Sequence, residues 1–300
     1  MSVVRNHVRM GIRNKAISVL GIDRDDPASV KALNGIRTAS DLAYVSDART
    51  GHYTDLIWTK EPLSPLPVVI YFNSTACVSS KRSRGTSLSK VIAKRDYLVV
   101  NADLRDLKRG ITPRNQMEDI AELLNWLIHN RERFSIDTDE IYVTGSSYGA
   151  LAALWTAMFA NGIRLAADLG LEKPNTHVKG LGLFTGMTDT ESGDSVMRTI
   201  AGAIKDLSRT EKSLAEALCP WSNHDLRTLP PVFQVTSDSD SALPDVVRLD
   251  KLLEINGVPH DTVTFHGSSR TTRGFMETHA GDNECARALS KMFTFFEECQ

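Results

Sequence analysis

Between Glu140 and Ala160 the chain reads Glu-Ile-Tyr-Val-Thr-Gly-Ser-Ser-Tyr-Gly-Ala-Leu-Ala-Ala-Leu-Trp-Thr-Ala-Met-Phe-Ala. A β-branched and aromatic run, Ile141 to Thr144, meets Gly145-Ser146-Ser147-Tyr148-Gly149, and an alanine- and leucine-rich segment follows at once. This is a G-x-S-x-G pattern with a strand before it and a helix after it, the context in which such a serine serves as a nucleophile. The turn is so tight that its central residue takes a strained backbone conformation, and the residues two before and two after must lack bulk. Gly145 and Gly149 meet that demand. Ser147 is then lifted above the sheet, and the first N–H groups of the helix face the oxyanion formed on attack. Ser147 is the expected nucleophile.

Working outward, short strands alternate with helices from about residue 53. Thr54–Trp58 reads as a strand, Pro67-Val68-Val69-Ile70-Tyr71-Phe72 as a strand buried on both faces, and Tyr97–Asn101 as the next. Met117, Ile120, Leu123, Leu124, Leu127 and Ile128 recur at helical spacing. Beyond the elbow, strands are expected at 178–185, 232–236 and 262–265, with helices at about 245–256 and 282–297. Such alternation implies a mostly parallel central sheet with helices on both faces. Residues 186–228 interrupt it with acidic, serine-rich turns and a helical stretch from about Ser195 to Leu218. They are read as a small helical cap inserted over the site.

The first 50 residues read as a separate helical, polar segment that packs on the core or the cap, leaving 51–300 as the main domain. Val4, Val8, Ile12 and Ala16 recur at helical spacing among Arg5, Arg9, Arg13 and Lys15, and Asp26-Pro27-Ala28-Ser29 opens a second short helix. The chain has 300 residues, 41% of them hydrophobic and 24% charged, enough for a sizeable core. A formal net charge of −2 lacks the basic excess that a nucleic-acid partner requires. No apolar run is long enough for a membrane span. Cys77, Cys219, Cys285 and Cys299 show neither C-x-x-C nor metal-ligand spacing. That usage fits a reducing cytoplasm. Cys77 is expected to be a buried thiol. Asn73-Ser74-Thr75 matches a glycosylation sequon, but it follows a buried strand and is read as chance.

A serine hydroxyl needs a base to remove its proton, and the base needs a third group to orient it. The orienting acid should follow a late strand. Leu229-Pro230-Pro231-Val232-Phe233-Gln234-Val235-Thr236-Ser237-Asp238-Ser239-Asp240 supplies Asp240 for that role, with Asp238 as alternate. The base should lie between the last strand and the last helix. His279 occupies that interval, and His266, directly after the strand, is the alternate.

These residues together resemble the α/β-hydrolase superfamily, and within it the esterases and lipases related to hormone-sensitive lipase. Besides the elbow, the resemblance rests on Leu66-Pro67-Val68-Val69-Ile70-Tyr71-Phe72, on Asp119-Ile120-Ala121-Glu122 with Trp126-Leu127, and on Ile136-Asp137-Thr138-Asp139-Glu140-Ile141. With the Asp240 strand, it spans about Leu66 to Phe296. It implies an α/β-hydrolase fold and hydrolysis of small or medium carboxylic esters through an acyl-serine, with no metal or organic cofactor. The backbone N–H groups of Tyr148, Ser74 and Thr75 are the implied oxyanion donors. Two departures stand out. The group carries His-Gly-Gly where this chain has Asn73-Ser74-Thr75-Ala76. It also places a His-Gly-Phe type triplet where this chain has Arg273-Gly274-Phe275, and arginine cannot accept a proton.

The expected partner is therefore a small-molecule ester, and the sequence leaves monomer and homo-oligomer equally open. Two alternatives accompany this reading. One is a non-catalytic hydrolase-fold binding protein that retains Ser147. The other is a peptidase of the prolyl-oligopeptidase type, whose elbow Ser147-Tyr148-Gly149 also resembles.

Overall fold

The computed structural model describes residues 31–33, 35–46, 51–59, 64–107, 110–222, 224–267 and 270–299. Among them nine strands form one sheet: β1 (Lys31–Leu33), β2 (Ile36–Ala43), β3 (Tyr53–Trp58), β4 (Leu66–Phe72), β5 (Leu98–Ala102), β6 (Ile136–Ser146), β7 (Val178–Phe184), β8 (Val232–Ser237) and β9 (His260–Phe265), in the spatial order β1-β2-β3-β5-β4-β6-β7-β8-β9. The strands from β5 to β9 run parallel, whereas β1, β2 and β3 add an antiparallel edge. Residues 36–43, expected inside a helical segment, are therefore strand β2. Their burial is only partial, so they carry no clear two-residue or helical period to read. The two helices expected before residue 30 lie outside the described residues.

Parallel strands need crossovers, and the helices supply them on both faces. The helices α1 (Arg82–Ala93) and α9 (Asn283–Glu298) cover one face, where Val69, Tyr71, Val99, Phe233 and Val263 meet Leu88, Leu289 and Met292. The other face packs α2 (Pro113–His129), α3 (Gly149–Asn161) and α7 (Leu243–Ile255) against Val68, Ile70, Val100, Val143 and Leu181. Successive residues of β4 thus enter opposite layers, which is why that strand is apolar throughout. Helix α3 is buried around nearly its whole circumference, the place an alanine-rich helix takes between a sheet and a covering layer.

The short helix α4 (Arg164–Leu169) follows α3. Residues 186–228 contain α5 (Ser195–Leu207) and α6 (Lys212–Leu218), two helices where one stretch was expected. Asp194 caps α5, its carboxylate accepting the N–H groups of Val196 (2.8 Å) and Met197 (3.0 Å). A single turn, α8 (Phe275–Thr278), lies between β9 and α9. No helix among the described residues is long and apolar enough to cross a membrane.

Candidate active site

Register places the elbow. Phe72 of β4 pairs with Gly145, and Ser146 pairs with Phe184 of β7, so β6 ends between two strands at the carboxyl edge of the sheet. There the chain turns straight into α3 with Ser147 at φ +48°. A serine in the left-handed region costs about 1–3 kcal/mol and persists only where its surroundings leave no alternative. The surroundings here are specific. The Ser147 N–H donates to Phe184 O (2.9 Å), and the Met187 N–H donates to Ser147 O (2.9 Å).

The flanking glycines are fixed by contact. A Cβ on Gly145 would lie 2.2 Å from the Gly149 carbonyl oxygen, and one on Gly149 would lie 2.3 Å from Phe72 O. Ser147 is 3% exposed, and its hydroxyl has no hydrogen-bond partner among the described residues. The Tyr148 N–H, at the start of α3, likewise donates to no described group. Ser147 Oγ and the Tyr148 N–H are thus both unengaged at this strand-to-helix turn.

The other proposed donors are engaged elsewhere. The Ser74 N–H donates to Glu277 Oε1 (2.7 Å) and the Ser74 hydroxyl to Oε2 (2.6 Å) of the same carboxyl group. The Tyr71 hydroxyl reaches Glu277 Oε1 (2.5 Å) and also Ser146 Oγ (2.9 Å). Burial, then the Glu277 charge, pushes the Tyr71 phenol well above its ordinary value. The Thr75 N–H turns inward to Asn73 Oδ1 (3.0 Å). Glu277 therefore anchors the 73–76 loop through Ser74. No sequence signal marks Glu277, which lies 203 residues from Ser74.

Asp240 is buried just past β8. Its carboxyl accepts the Ala242 N–H (2.9 Å) and the Thr236 hydroxyl (3.1 Å). Burial raises its proton affinity, against those hydrogen bonds and the nearby charge of Arg273. Asp238 is half exposed and lies 3.7 Å from His266, which is 75% exposed in its side chain. The two alternates thus face solvent together. His279 is the C-cap of α8, with Nδ1 2.9 Å from its neighbour's Thr278 Oγ1. Among the described residues, no histidine is hydrogen-bonded to Ser147 or Asp240.

Arg273 stands there instead. Its guanidinium lies over the Tyr148 ring, 5.4 Å from the centroid, and 3.1 Å from Asp194 Oδ2. The Tyr148 hydroxyl donates to Asp194 Oδ1 (2.9 Å). Burial, then the bond to Asp194, pushes the Tyr148 phenol up to about 12. Burial opposes the Asp194 charge, yet the donors gathered on it hold its carboxyl below the ordinary value. The start of α5 is thereby tied to the residue following Ser147.

A cavity of about 470 Å³ opens here, lined by residues that include Met187, Asp194 and Arg273. A larger one of about 580 Å³ lies along α2, where Asp119 meets His52 (2.9 Å) and Arg105, and it includes no elbow residue. Cys77 is fully buried, its thiol pushed up to about 12 by that burial, which leaves it unreactive. Asn73 is fully buried as well. No His/Cys/Asp/Glu group among the described residues could hold a metal ion.

Residues 54–246, the elbow and the acid strand among them, match the BD-FAE family model. The chain belongs to the BD-FAE family. Its fold is that of the α/β-hydrolase superfamily, as solved structures also indicate. Esterase B from Lactobacillus rhamnosis superposes with a TM-score of 0.78 at 19% identity, over 99% of this chain and 94% of that one. A truncated carbohydrate esterase from gut microbiota gives 0.67 at 17%, over 86% and 95% of the two chains. A hyperthermophilic esterase from Pyrobaculum calidifontis gives 0.63 at 20%, over 89% and 87%. In sequence, 84 residues are 30% identical to a "Probable isoprenylcysteine alpha-carbonyl methylesterase" of Arabidopsis thaliana, covering 28% of this chain and 20% of that relative.

Proposed function

We propose that this chain hydrolyses a small or medium carboxylic ester through an acyl-serine intermediate on Ser147. One observation carries the reading: a serine at φ +48°, clasped between glycines that admit no side chain, at the start of a helix whose Tyr148 N–H is unengaged. The esterase names of the structural neighbours agree with it.

In this mechanism the Ser147 hydroxyl attacks the ester carbonyl, its proton passing to His279. Asp240 orients the imidazole and stabilises its charged form. The Tyr148 N–H takes the oxyanion. The alcohol leaves with the proton from His279, and water then attacks the acyl-serine by the same route. Two rearrangements are required. The 273–279 segment must bring His279 where Arg273 now stands, and Glu277 must release the Ser74 N–H for a second oxyanion bond. Each oxyanion donor is worth about a hundredfold or more in turnover.

Fluorophosphonate labelling tests this directly, comparing wild type with Ser147→Ala and locating the adduct by mass spectrometry. Rapid modification at Ser147, absent in the variant, is the expected result. Absence of labelling in folded wild-type protein would defeat it. The second reading, a non-catalytic ligand-binding module, would then stand. It is favoured by Arg273, which cannot take a proton, and by the engagement of Ser74 with Glu277.

A further inference from the structure

The cavity beside Arg273 has an unbalanced charge. Its lining includes three carboxylates, Asp189, Asp194 and Asp245, and two guanidiniums, Arg248 and Arg273. Two ion pairs account for four of these groups: Arg248 with Asp189 (2.5 Å) and Arg273 with Asp194 (3.1 Å). Asp245 remains. It is 6% exposed. Its one hydrogen bond among the described residues is a long 3.4 Å contact from the Asp189 N–H to Oδ2, which leaves Oδ1 without a donor. A buried carboxylate left without a full set of donors is costly, and here it borders an open cavity of about 470 Å³.

The cavity adjoins the nucleophile. Met187, in its lining, donates its N–H to Ser147 O (2.9 Å), and Arg273 lies over Tyr148. A neutral aliphatic chain entering this space could pack on Met187 and Pro244 but would leave the Asp245 carboxylate without a partner. A cationic group would complete the pairing.

We propose that Asp245 is the anionic anchor of a subsite for an ammonium group, so that this chain selects amine-bearing ligands, and amine-bearing esters where Ser147 acts as a nucleophile. The ester part of this statement rests on the function proposed above, whereas the cation site does not. Burial, together with the neighbouring Asp189 and Asp194 charges, pushes the Asp245 carboxyl up to about 6. An ammonium ion would pull it down again and compete with the proton. Asp189, Asp194, Arg248 and Arg273 are the other charged groups facing this space, and each already has its partner.

The test uses a matched pair of inert amides, 6-aminohexanamide and hexanamide, titrated into Ser147→Ala protein by calorimetry or amide-shift NMR. At pH 8 the ammonium-bearing amide should bind about tenfold or more tightly than its neutral twin. Asp245→Asn should abolish the preference. Lowering the pH to 5 should reduce it several-fold without any substitution at Asp245, which covers the case of a variant that does not fold. Equal binding of both amides at pH 8 overturns the proposal. So does a preference that survives both Asp245→Asn and pH 5. In wild type, p-nitrophenyl 6-aminohexanoate should show about tenfold higher kcat/KM than p-nitrophenyl hexanoate. Hydrolysis of neither ester, with the amide preference intact, would sink the esterase reading and keep the cation site.

Discussion

The elbow, Gly145 to Gly149, and the loops beside it, 73–76 and 273–279, are held by different forces. The elbow is fixed by hard contact between backbone atoms: a Cβ at either glycine would lie 2.2–2.3 Å from a carbonyl oxygen. The loops are fixed by polar side chains meeting across the fold, with Glu277 on Ser74 and Tyr71, and Arg273 on Asp194. Steric constraint between backbone atoms admits one solution. Polar pairing admits several. The loops around Ser147 can therefore change while its own backbone geometry stays fixed.

That contrast can be broken at its strongest point first. Gly145→Ala should cost about 3 kcal/mol or more, or prevent folding, because the obstructing atom is backbone and cannot rotate away. Gly193→Ala, whose Cβ would meet nothing within 4 Å, should change stability by less than about 0.5 kcal/mol. Urea unfolding of the two variants checks this, and similar losses would mean that the elbow is no tighter than an ordinary loop.

A smaller loss is expected on the polar side. Glu277→Gln keeps the shape but gives up half the accepting capacity of a carboxyl group that receives Tyr71 and both donors of Ser74. It should cost about 2 kcal/mol in the same measurement. A change below about 0.5 kcal/mol would show that the 73–76 loop is held by its own turn.

The smallest effect concerns Asp245 and depends on pH. Its folded-state value of about 6 exceeds the ordinary carboxyl value. Between roughly pH 4 and 6 the folded protein therefore holds a proton that the unfolded chain has lost, and stability falls as pH rises through that window. Asp245→Asn removes the charge. Relative to wild type it should gain about 1–2 kcal/mol near pH 8 and nothing below about pH 4. Thermal melts across that range decide it, and a constant difference would show that Asp245 does not titrate there.

The amino-acid sequence alone determined the parallel core and the place of Ser147. Runs such as Val68 to Phe72 are apolar at every position because both faces are covered. A G-x-S-x-G turn between strand and helix has few backbone solutions. The position of Asp240 just past β8 followed from its distance beyond a proline-bounded strand. These signals are local, written within a dozen residues and enforced by sterics and burial.

Only the tertiary structure decided what surrounds Ser147. Strand β2 carries no periodicity because it is half-buried next to the short edge strand β1, so its pairing with β3 had to be seen. Glu277 meets Ser74 across 203 positions, and Arg273 meets Asp194 across 79. Asp245 is left over only because Arg248 and Arg273 are taken by other carboxylates. Charge pairing acts through space and is indifferent to chain order, so no spacing along the sequence could have announced it.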